Sequence, residues 1–340
     1  MSTRPRHVLL VGSFAPAALE RSYRHAFLDA RVETTCFDLP AALRGYCRLG
    51  ALGRTFNRFV PVDPWTIKAN RELVVLARRT APDLIVVFGQ NRVSSGALAQ
   101  LRAMMPSLRL VLIWPDTLVN MSVATQASLP HYDLVATYSR STVPVFERLG
   151  AQRVAWIPLA ADPHMHLLRG ERPAFTCDVG FIGQWRPERE AAFLGILEQC
   201  PDAVVRIWGP DWKRRSRNAG IRRAWQGGAL FEEAYARTIA SCRLNLNIID
   251  DTNYPAANMR FFEVLCAGGL LVCSPCPELD QEFVAGETVF YYQGLADLPV
   301  LVRQLLSEPD VGRAVAAAGH QKVLERHTYL HRVSAILDAL

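Results

Sequence analysis

The chain has 340 residues, half of them hydrophobic and 21% charged, and a formal net charge of +6. This profile is typical of a folded globular protein and excludes a largely disordered chain. The length is too great for one ordinary core and favours two domains. No apolar run approaches the roughly 18 to 20 residues of a membrane-spanning helix. The first apolar run, residues 8–11, is too short for a signal peptide and predicts a strand.

Eight cysteines are scattered along the chain, several of them inside apolar patterns. This distribution indicates reduced core residues and therefore a cytoplasmic protein. Cys273 and Cys276 have the spacing of a metal or redox pair, but no second Cys or His pair stands at zinc-finger distance. Asp250 and Asp251 are adjacent, whereas a metal-binding aspartate pair would be spaced. We expect no metal and no cofactor.

In the first half, short β-branched or apolar runs alternate with helical patterns. This alternation predicts a parallel sheet with crossover helices, a Rossmann-like N-terminal domain over residues 1–160. The predicted strands are residues 8–11, 32–37, 84–88, 110–114, 134–137 and 154–157. The predicted helices are residues 19–30, 64–79, 94–105 and 141–149.

A stretch rich in proline, glycine and charge, residues 158–176, interrupts the rhythm and marks the domain boundary. The alternation then restarts, which predicts a second Rossmann-like domain over residues 174–325. Its predicted strands are residues 177–182, 204–208, 244–249, 270–273 and 288–291. Its predicted helices are residues 188–199, 231–241, 256–267 and 298–306. We expect the last segment, residues 326–340, to be a helix that packs back on the first domain.

No dinucleotide fingerprint with the full G-x-G-x-x-G spacing, no P-loop and no DNA-reading motif is present. An NAD-dependent enzyme, an ATPase and a nucleic-acid-binding protein are therefore disfavoured as functions. In open parallel sheets, ligands lie at the carboxyl ends of the strands. Two such sheets facing each other would form an interdomain cleft, so residues at strand ends are the first site candidates.

The segment from Asn258 to Gly269 carries the strongest functional signal. Its apolar residues recur at helical spacing, whereas Arg260 and Glu263 stand three residues apart on the other face. Pro255 suits the first turn of a helix, and the paired glycines end it. First-turn N–H groups attract anions, which makes this helix a candidate diphosphate site.

A second candidate lies at the end of the predicted strand 177–182. Gly183 permits close approach of the backbone to a phosphate or sugar, Gln184 follows it, and Arg186 supplies positive charge. Arg189, one turn further on, competes with Arg186 for the phosphate. Either arginine also suits a surface helix.

Several ordered pieces of the second half resemble GT-B glycosyltransferases of the type found in spore-maturation CgeB-like proteins. The first half resembles them mainly in its strand pattern and in residues 114–116. The pieces are residues 178–183 with Arg189, the strand 244–247, residues 260–263 with Gly268, residues 277–279 and 283–287, and residues 327–329 with Arg332. The resemblance implies two Rossmann-like α/β domains facing a cleft that holds a nucleotide diphosphate sugar.

The resemblance also implies roles for the donor-site residues. Glu263 matches the position that accepts ribose hydroxyls, and Arg260 is placed to neutralise the departing diphosphate. The alternative for both is an ion pair between them on a solvated helix face. Asn258 either reaches sugar hydroxyls or caps the helix.

Two mechanisms stay open for a metal-independent glycosyl transfer. If configuration inverts, a base must take the acceptor proton, and Asp116 at a strand end is the first choice, with an N-cap role as its alternative. If configuration is retained, the leaving phosphate accepts that proton. Retaining relatives carry a glutamate where this chain has Pro255, which weakens the transfer of their sugar-contact pattern.

The acceptor, a small molecule, a glycan or a protein, is expected against the first domain near Gly12, Ser13, Gln90 and Asn91. These residues follow predicted strand ends. A sugar-nucleotide epimerase with the same fold and a non-catalytic nucleotide-binding or cell-surface assembly protein are the alternative functions. His131, His164, His166 and His327 look isolated, and none is assigned a role.

Basic residues concentrate in the segment that begins at Lys213 and ends at Arg223, flanked by Trp212 and Trp225. Such a cluster suits peripheral contact with an anionic membrane or a phosphate-bearing acceptor. A solvated surface is the equally weighted alternative.

Overall fold

The computed structural model describes residues 4–16, 18–47, 63–89 and 93–340. The chain divides into two compact units, each with its own sheet and core. Unit 1 comprises Met1–Pro158 and Leu330–Leu340, and unit 2 comprises Leu159–Tyr329. Gln90 and Asn91 lie outside the described residues.

Unit 1 contains a six-stranded sheet in which every strand pair is parallel. The strand order is β2-β1-β3-β4-β5-β6. The strands are β1 (His7–Gly12), β2 (Glu33–Asp38), β3 (Leu84–Phe88), β4 (Arg109–Trp114), β5 (Leu134–Thr137) and β6 (Val154–Trp156). The described helices are α1 (Leu19–Asp29), α2 (Leu39–Tyr46), α3 (Asp63–Thr80), α4 (Ser95–Met104), α5 (Val123–Ser128), α6 (Val143–Arg148) and, from the chain's end, α15 (Tyr329–Asp338).

Unit 2 repeats this arrangement with a second parallel six-stranded sheet, in the order β12-β11-β10-β7-β8-β9. Its strands are β7 (Cys177–Ile182), β8 (Val205–Trp208), β9 (Trp225–Gly227), β10 (Cys242–Asn247), β11 (Leu271–Cys273) and β12 (Phe290–Tyr291). Its described helices are α7 (Pro163–His166), α8 (Pro187–Gln199), α9 (Trp212–Arg215), α10 (Ala219–Ala224), α11 (Glu232–Ala240), α12 (Met259–Cys266), α13 (Leu298–Ser307) and α14 (Pro309–Arg326).

The central strands are apolar because both faces of each sheet are covered. Every residue of β3 is buried, and only Arg109 at the start of β4 is partly exposed. Parallel strands buried on both faces characteristically read as continuous apolar runs. Helices of both units contribute aromatic residues to these cores, including Phe146 in unit 1 and Phe193 in unit 2. The α/β class with two parallel-sheet units is confirmed.

The helix predicted over residues 256–267 begins later than expected. It starts at Met259, and Asn258 is its N-cap, so Pro255 lies in the preceding turn and not in the first helical turn. Gly268, at φ +72°, ends the helix in the left-handed conformation that favours glycine. In the part of the chain that is described, no helix combines the length and hydropathy needed to cross a bilayer.

Candidate active site

The order of strands in unit 2 defines where a ligand is expected. β7 and β10 are neighbours, and the sheet continues in opposite directions along the chain on either side of them. Loops that follow such a pair separate and leave a crevice at the carboxyl edge. The loop after β7 carries Gly183 to Arg186, and the segment after β10 leads through Asp250 to α12.

Asn258 ties α12 to the end of β10. Its Oδ1 accepts the Phe261 N–H at 3.2 Å, which caps the helix. Asn258 and the buried Asn247 also exchange amide hydrogen bonds of 2.9 and 3.0 Å. The Asn258 side chain therefore caps the helix, as one of the two sequence-based alternatives predicted. Its hydrogen bonds to Asn247 fix the direction in which α12 leaves the sheet.

Arg260 is held against the end of β7. The centre of its guanidinium lies 5.2 Å from the centroid of the Phe181 ring. A Cβ atom at residue 183 would come within 2.9 Å of Arg260 Nη2, so the absence of a side chain at Gly183 makes room for the arginine. Its buried Nε has no hydrogen-bond partner among the described residues.

Arg189, on α8, is the second arginine of the crevice, and it is buried, with 7% of the residue exposed. Its Nη1 donates to the Gln184 carbonyl at 2.9 Å, and its guanidinium lies 5.6 Å from the Phe181 centroid. Its Nε, like that of Arg260, lacks a partner among the described residues. Burial, and then the adjacent charge of Arg260, lower the pKa of Arg189 to about 10, so the group stays charged at neutral pH.

Asp250 is the acidic partner of these cations. Its Oδ2 lies 3.3 Å from Arg186 Nε and 3.6 Å from Arg189 Nη2. Its Oδ1 accepts hydrogen bonds from Thr252 and Asn253. Burial acts to raise the pKa of Asp250, but these hydrogen bonds and the two arginines outweigh burial and hold it below its usual value. Arg186 and Arg189 thus share one carboxylate.

Glu263 lies one turn beyond Arg260 and pairs with a histidine from a distant segment. His166 Nε2 is 3.6 Å from Glu263 Oε1. His166 Nδ1 accepts the Asp162 N–H at 3.1 Å, which puts the proton of the neutral ring on Nε2, facing the carboxylate. No ion pair joins Arg260 to Glu263 among the contacts of the described residues.

Tyr235, on α11, completes this group. Its ring contacts that of His166 edge-to-face, with centroids 5.8 Å apart. Burial, followed by the charge of Glu263, raises the pKa of Tyr235 well above its usual value, so the phenol stays protonated. Sequence reasoning missed His166, Tyr235 and the role of Asp250, because their contacts join segments that no local pattern connects.

The two loops beside β7 and β8 are in direct contact. The Trp212 indole N–H donates to the Gly183 carbonyl at 2.7 Å, and the tryptophan is fully buried. The Gln184 side chain donates to Asp211 at 3.1 Å. Gln184 is thereby directed to the neighbouring loop, and its side chain braces the loop pair.

Unit 1 has a cavity of about 340 Å³ at the carboxyl ends of β1, β3 and β4. Ser13 and Asp116 line it, and Gly12 immediately precedes Ser13. A Cβ atom at residue 12 would overlap Glu20, whose Oε1 accepts the Ser13 N–H at 2.8 Å. Glu20, a buried carboxylate that sequence reasoning did not identify, organises this loop.

Asp116 braces the turn that follows β4. Its Oδ1 accepts the Thr117 N–H at 2.7 Å, and its Oδ2 accepts from the Asn120 amide at 2.9 Å. Both oxygens are therefore engaged locally, while the residue also borders the 340 Å³ cavity.

The basic segment from Lys213 to Arg223 forms α9, α10 and the turn between them. Arg214 pairs with Asp211 at 2.8 Å, and Lys213 lies 5.8 Å from the Trp225 ring centroid. Trp212 belongs to the core and is not a surface anchor beside the cluster.

Residues 189–338 match the protein family described as Glycosyl transferase-like. No curated protein sequence matches the chain. The fold is similar to that of sucrose-phosphate synthase from Thermosynechococcus elongatus, with a TM-score of 0.69, 13% identity and 97% of each chain covered. It is also similar to a glycosyltransferase from Rickettsia africae, with a TM-score of 0.67, 9% identity, 99% of this chain and 98% of that one covered.

A third similar structure is Anabaena HepE in complex with UDP-glucose, with a TM-score of 0.63, 13% identity, 98% of this chain and 100% of that one covered. Together these findings give the chain the GT-B architecture expected from the sequence. The family match covers residues 189–338, and the similarity over the whole chain is one of fold.

Proposed function

We propose that the protein transfers a sugar from a nucleotide diphosphate donor to an acceptor hydroxyl or amine, and that the donor binds in the unit 2 crevice. The observation that carries the proposal is the pair of arginines beside Phe181, Arg189 and Arg260, each with a buried Nε that has no hydrogen-bond partner among the described residues. A buried donor without a partner costs roughly 1–3 kcal/mol. A diphosphate supplies acceptor oxygens and charge together, and so recovers that cost.

The neighbouring residues fit the rest of such a donor. Glu263, turned from Arg260 toward His166, presents carboxylate oxygens suited to two ribose hydroxyls. Asp250, whose pKa is lowered, is ionised and pairs with Arg186 and Arg189. The two arginine side chains are therefore ordered before a ligand arrives. The UDP-glucose complex of the similar HepE structure makes UDP the first nucleotide to test.

Bond cleavage at the sugar leaves negative charge on the departing diphosphate. Arg260 and Arg189 stabilise that charge most where it develops, which lowers the barrier without a bound metal ion. Both oxygens of Asp116 already accept local hydrogen bonds, so we favour retention, in which the leaving phosphate takes the acceptor proton. We also propose that the protein is a glycosyltransferase of the spore-maturation CgeB-like type.

Thermal unfolding in the presence of UDP, GDP, ADP, CDP or dTDP tests donor binding, because a ligand of the folded state alone raises the melting temperature. We expect one of these nucleotides, UDP first, to give a saturable increase. Glu263→Ala and Arg260→Gln each remove a charged hydrogen bond and should weaken that nucleotide about 10- to 100-fold. Arg237→Gln, at an exposed position of α11, is the matched control and should bind as the parent does.

Failure of every nucleotide to shift the melting temperature, or unchanged affinity in Glu263→Ala, would remove the donor site. Donor consumed without any acceptor indicates an epimerase, and binding without sugar transfer indicates a non-catalytic module. Loss of transfer in Asp116→Asn, with donor binding intact, would replace retention by an inverting mechanism with Asp116 as its base.

A further inference from the structure

Unit 2 has a cavity of about 570 Å³ that the donor proposal does not use. Arg243 and Leu244 at the start of β10 line it, as does Leu270 just before β11. Gly268, past the last turn of α12, lies in the same wall. The cavity is therefore at the amino edge of the sheet, whereas the arginine crevice is at the carboxyl edge.

The cavity has the size and lining of a ligand pocket. Its volume falls within the range of about 300 to 1,000 Å³ that small-molecule sites occupy. Aliphatic and aromatic side chains form most of the walls, among them Leu167, Leu168, Phe175 and Leu305. Half of Phe175 is exposed, which leaves apolar surface in contact with solvent at this site.

The charged residues of the lining are all basic. Arg172, Arg243, Arg313 and His320 line the cavity, and no carboxylate does so among the described residues. Arg243 is paired with Asp178 at 3.1 Å, and Arg313 with Asp310.

Arg172 is the exception among these cations. Its Nη2 donates to the Gly268 carbonyl at 3.1 Å, and no carboxylate among the described residues pairs with it. Arg172 is exposed, so the cavity combines an apolar interior with a solvent-facing positive charge that no carboxylate of the described residues pairs with.

We propose that this cavity binds a long-chain aliphatic monocarboxylate. The hydrocarbon chain of the ligand lies against the apolar walls, where each buried methylene contributes about 0.8 kcal/mol. The ligand carboxylate forms a bidentate hydrogen bond with the Arg172 guanidinium. Arg172, the arginine of the lining that no described carboxylate pairs with, matches a monoanion, whereas a phosphate dianion would leave one negative charge unbalanced. A wholly apolar occupant would leave the guanidinium without its counter-ion.

Calorimetric titration with decanoate, below its micellar concentration, tests the proposal on the full chain. We expect saturable binding at one site. Arg172→Gln should weaken decanoate about tenfold and leave decanol unaffected, because only the acid uses the charge. Arg169→Gln, an exposed arginine three residues earlier that does not line the cavity, is the matched control.

A second pair of variants tests the location. Ala317 lines the cavity and is exposed, so Ala317→Trp should fill the space and abolish decanoate binding without disturbing the core. Ala314→Trp, on the same helix but outside the lining, should bind normally. Unchanged melting temperatures verify that each variant is folded. Because this control does not need a nucleotide, the test stays valid even if the donor proposal fails.

Four results would overturn the proposal. Decanoate that does not bind, or that binds Ala317→Trp normally, removes the site. Decanol that binds as tightly as decanoate shows an apolar pocket without acid recognition. Decyl phosphate that binds more tightly than decanoate shows a site for a dianionic headgroup.

Discussion

His166 and Glu263 show how one contact between distant residues sets the chemistry of a site. The Asp162 N–H occupies His166 Nδ1, so the ring of the neutral histidine presents a donor, and not an acceptor, to Glu263. At 3.6 Å the two atoms are too far apart for a strong hydrogen bond. The geometry instead orients the carboxylate, which keeps lone pairs free for a ligand.

Replacement of His166 should therefore affect the nucleoside part of the donor and not the diphosphate. His166→Phe keeps an aromatic ring against Tyr235 but removes the donor facing Glu263. We expect UDP affinity to fall about 3- to 10-fold, because Glu263 loses the polar neighbour that orients its carboxylate, with pyrophosphate affinity unchanged. Titration calorimetry with both ligands measures the split.

His164→Phe, at an exposed position two residues away, is the control for this experiment. An equal loss of UDP and pyrophosphate affinity in His166→Phe would show that the histidine supports the whole site and has no specific link to Glu263.

At the scale of elements, the loop after β8 is pressed against the loop after β7. Gly209 has φ +135°, which side chains rarely tolerate. A Cβ atom there would lie 2.1 Å from the Gly183 carbonyl oxygen, a backbone atom that cannot rotate away. The position of Gly183, and with it the space for Arg260, depends on this close approach.

Gly209→Ala should lower the free energy of unfolding by at least about 2 kcal/mol, through backbone strain and overlap together. Urea denaturation measures the loss. Gly228→Ala is the control, because a Cβ atom at Gly228 meets nothing within 4 Å. Its free energy of unfolding should stay within about 0.5 kcal/mol of the parent's. Equal midpoints for the two variants would contradict this account.

Local sequence predicted the elements that periodicity defines and missed those held by long-range packing. β3 and the α12 face with Arg260 and Glu263 follow from apolar spacing within one segment. β9, α9 and α10 do not, because their sequence is largely polar and basic and their few apolar residues, among them the buried Trp212, pack into the unit 2 core. α12 begins at Met259 because Asn258 pairs with Asn247, a contact that no local pattern encodes.

At the scale of the whole molecule, α15 belongs to the first compact unit, although it follows the second in sequence. Arg332 Nε donates to the Pro158 carbonyl at 2.8 Å, and Arg153 donates to the Ala339 carbonyl. Ile336 is fully buried. Unit 1 is thus a discontinuous domain, built from both parts of the chain.

Ile336→Ala should destabilise unit 1 by about 2–5 kcal/mol, because it leaves a cavity among buried residues. Hydrogen exchange should speed up in β1 to β6 and stay unchanged in β7 to β12, since the helix clusters with the first unit. Leu330→Ala, at a residue that is 41% exposed, should leave exchange in both sheets as it was. Faster exchange confined to β7–β12 would refute the assignment.

The discontinuity of unit 1 has a consequence for biosynthesis. Domains fold largely as units while the chain emerges from the ribosome, usually in N-terminal to C-terminal order. Here the second unit has all its residues once Tyr329 has emerged, whereas the first still lacks Leu330–Leu340. The unit that is translated first is therefore the last to be completed, and the nascent chain presents a finished unit 2 beside an unfinished unit 1.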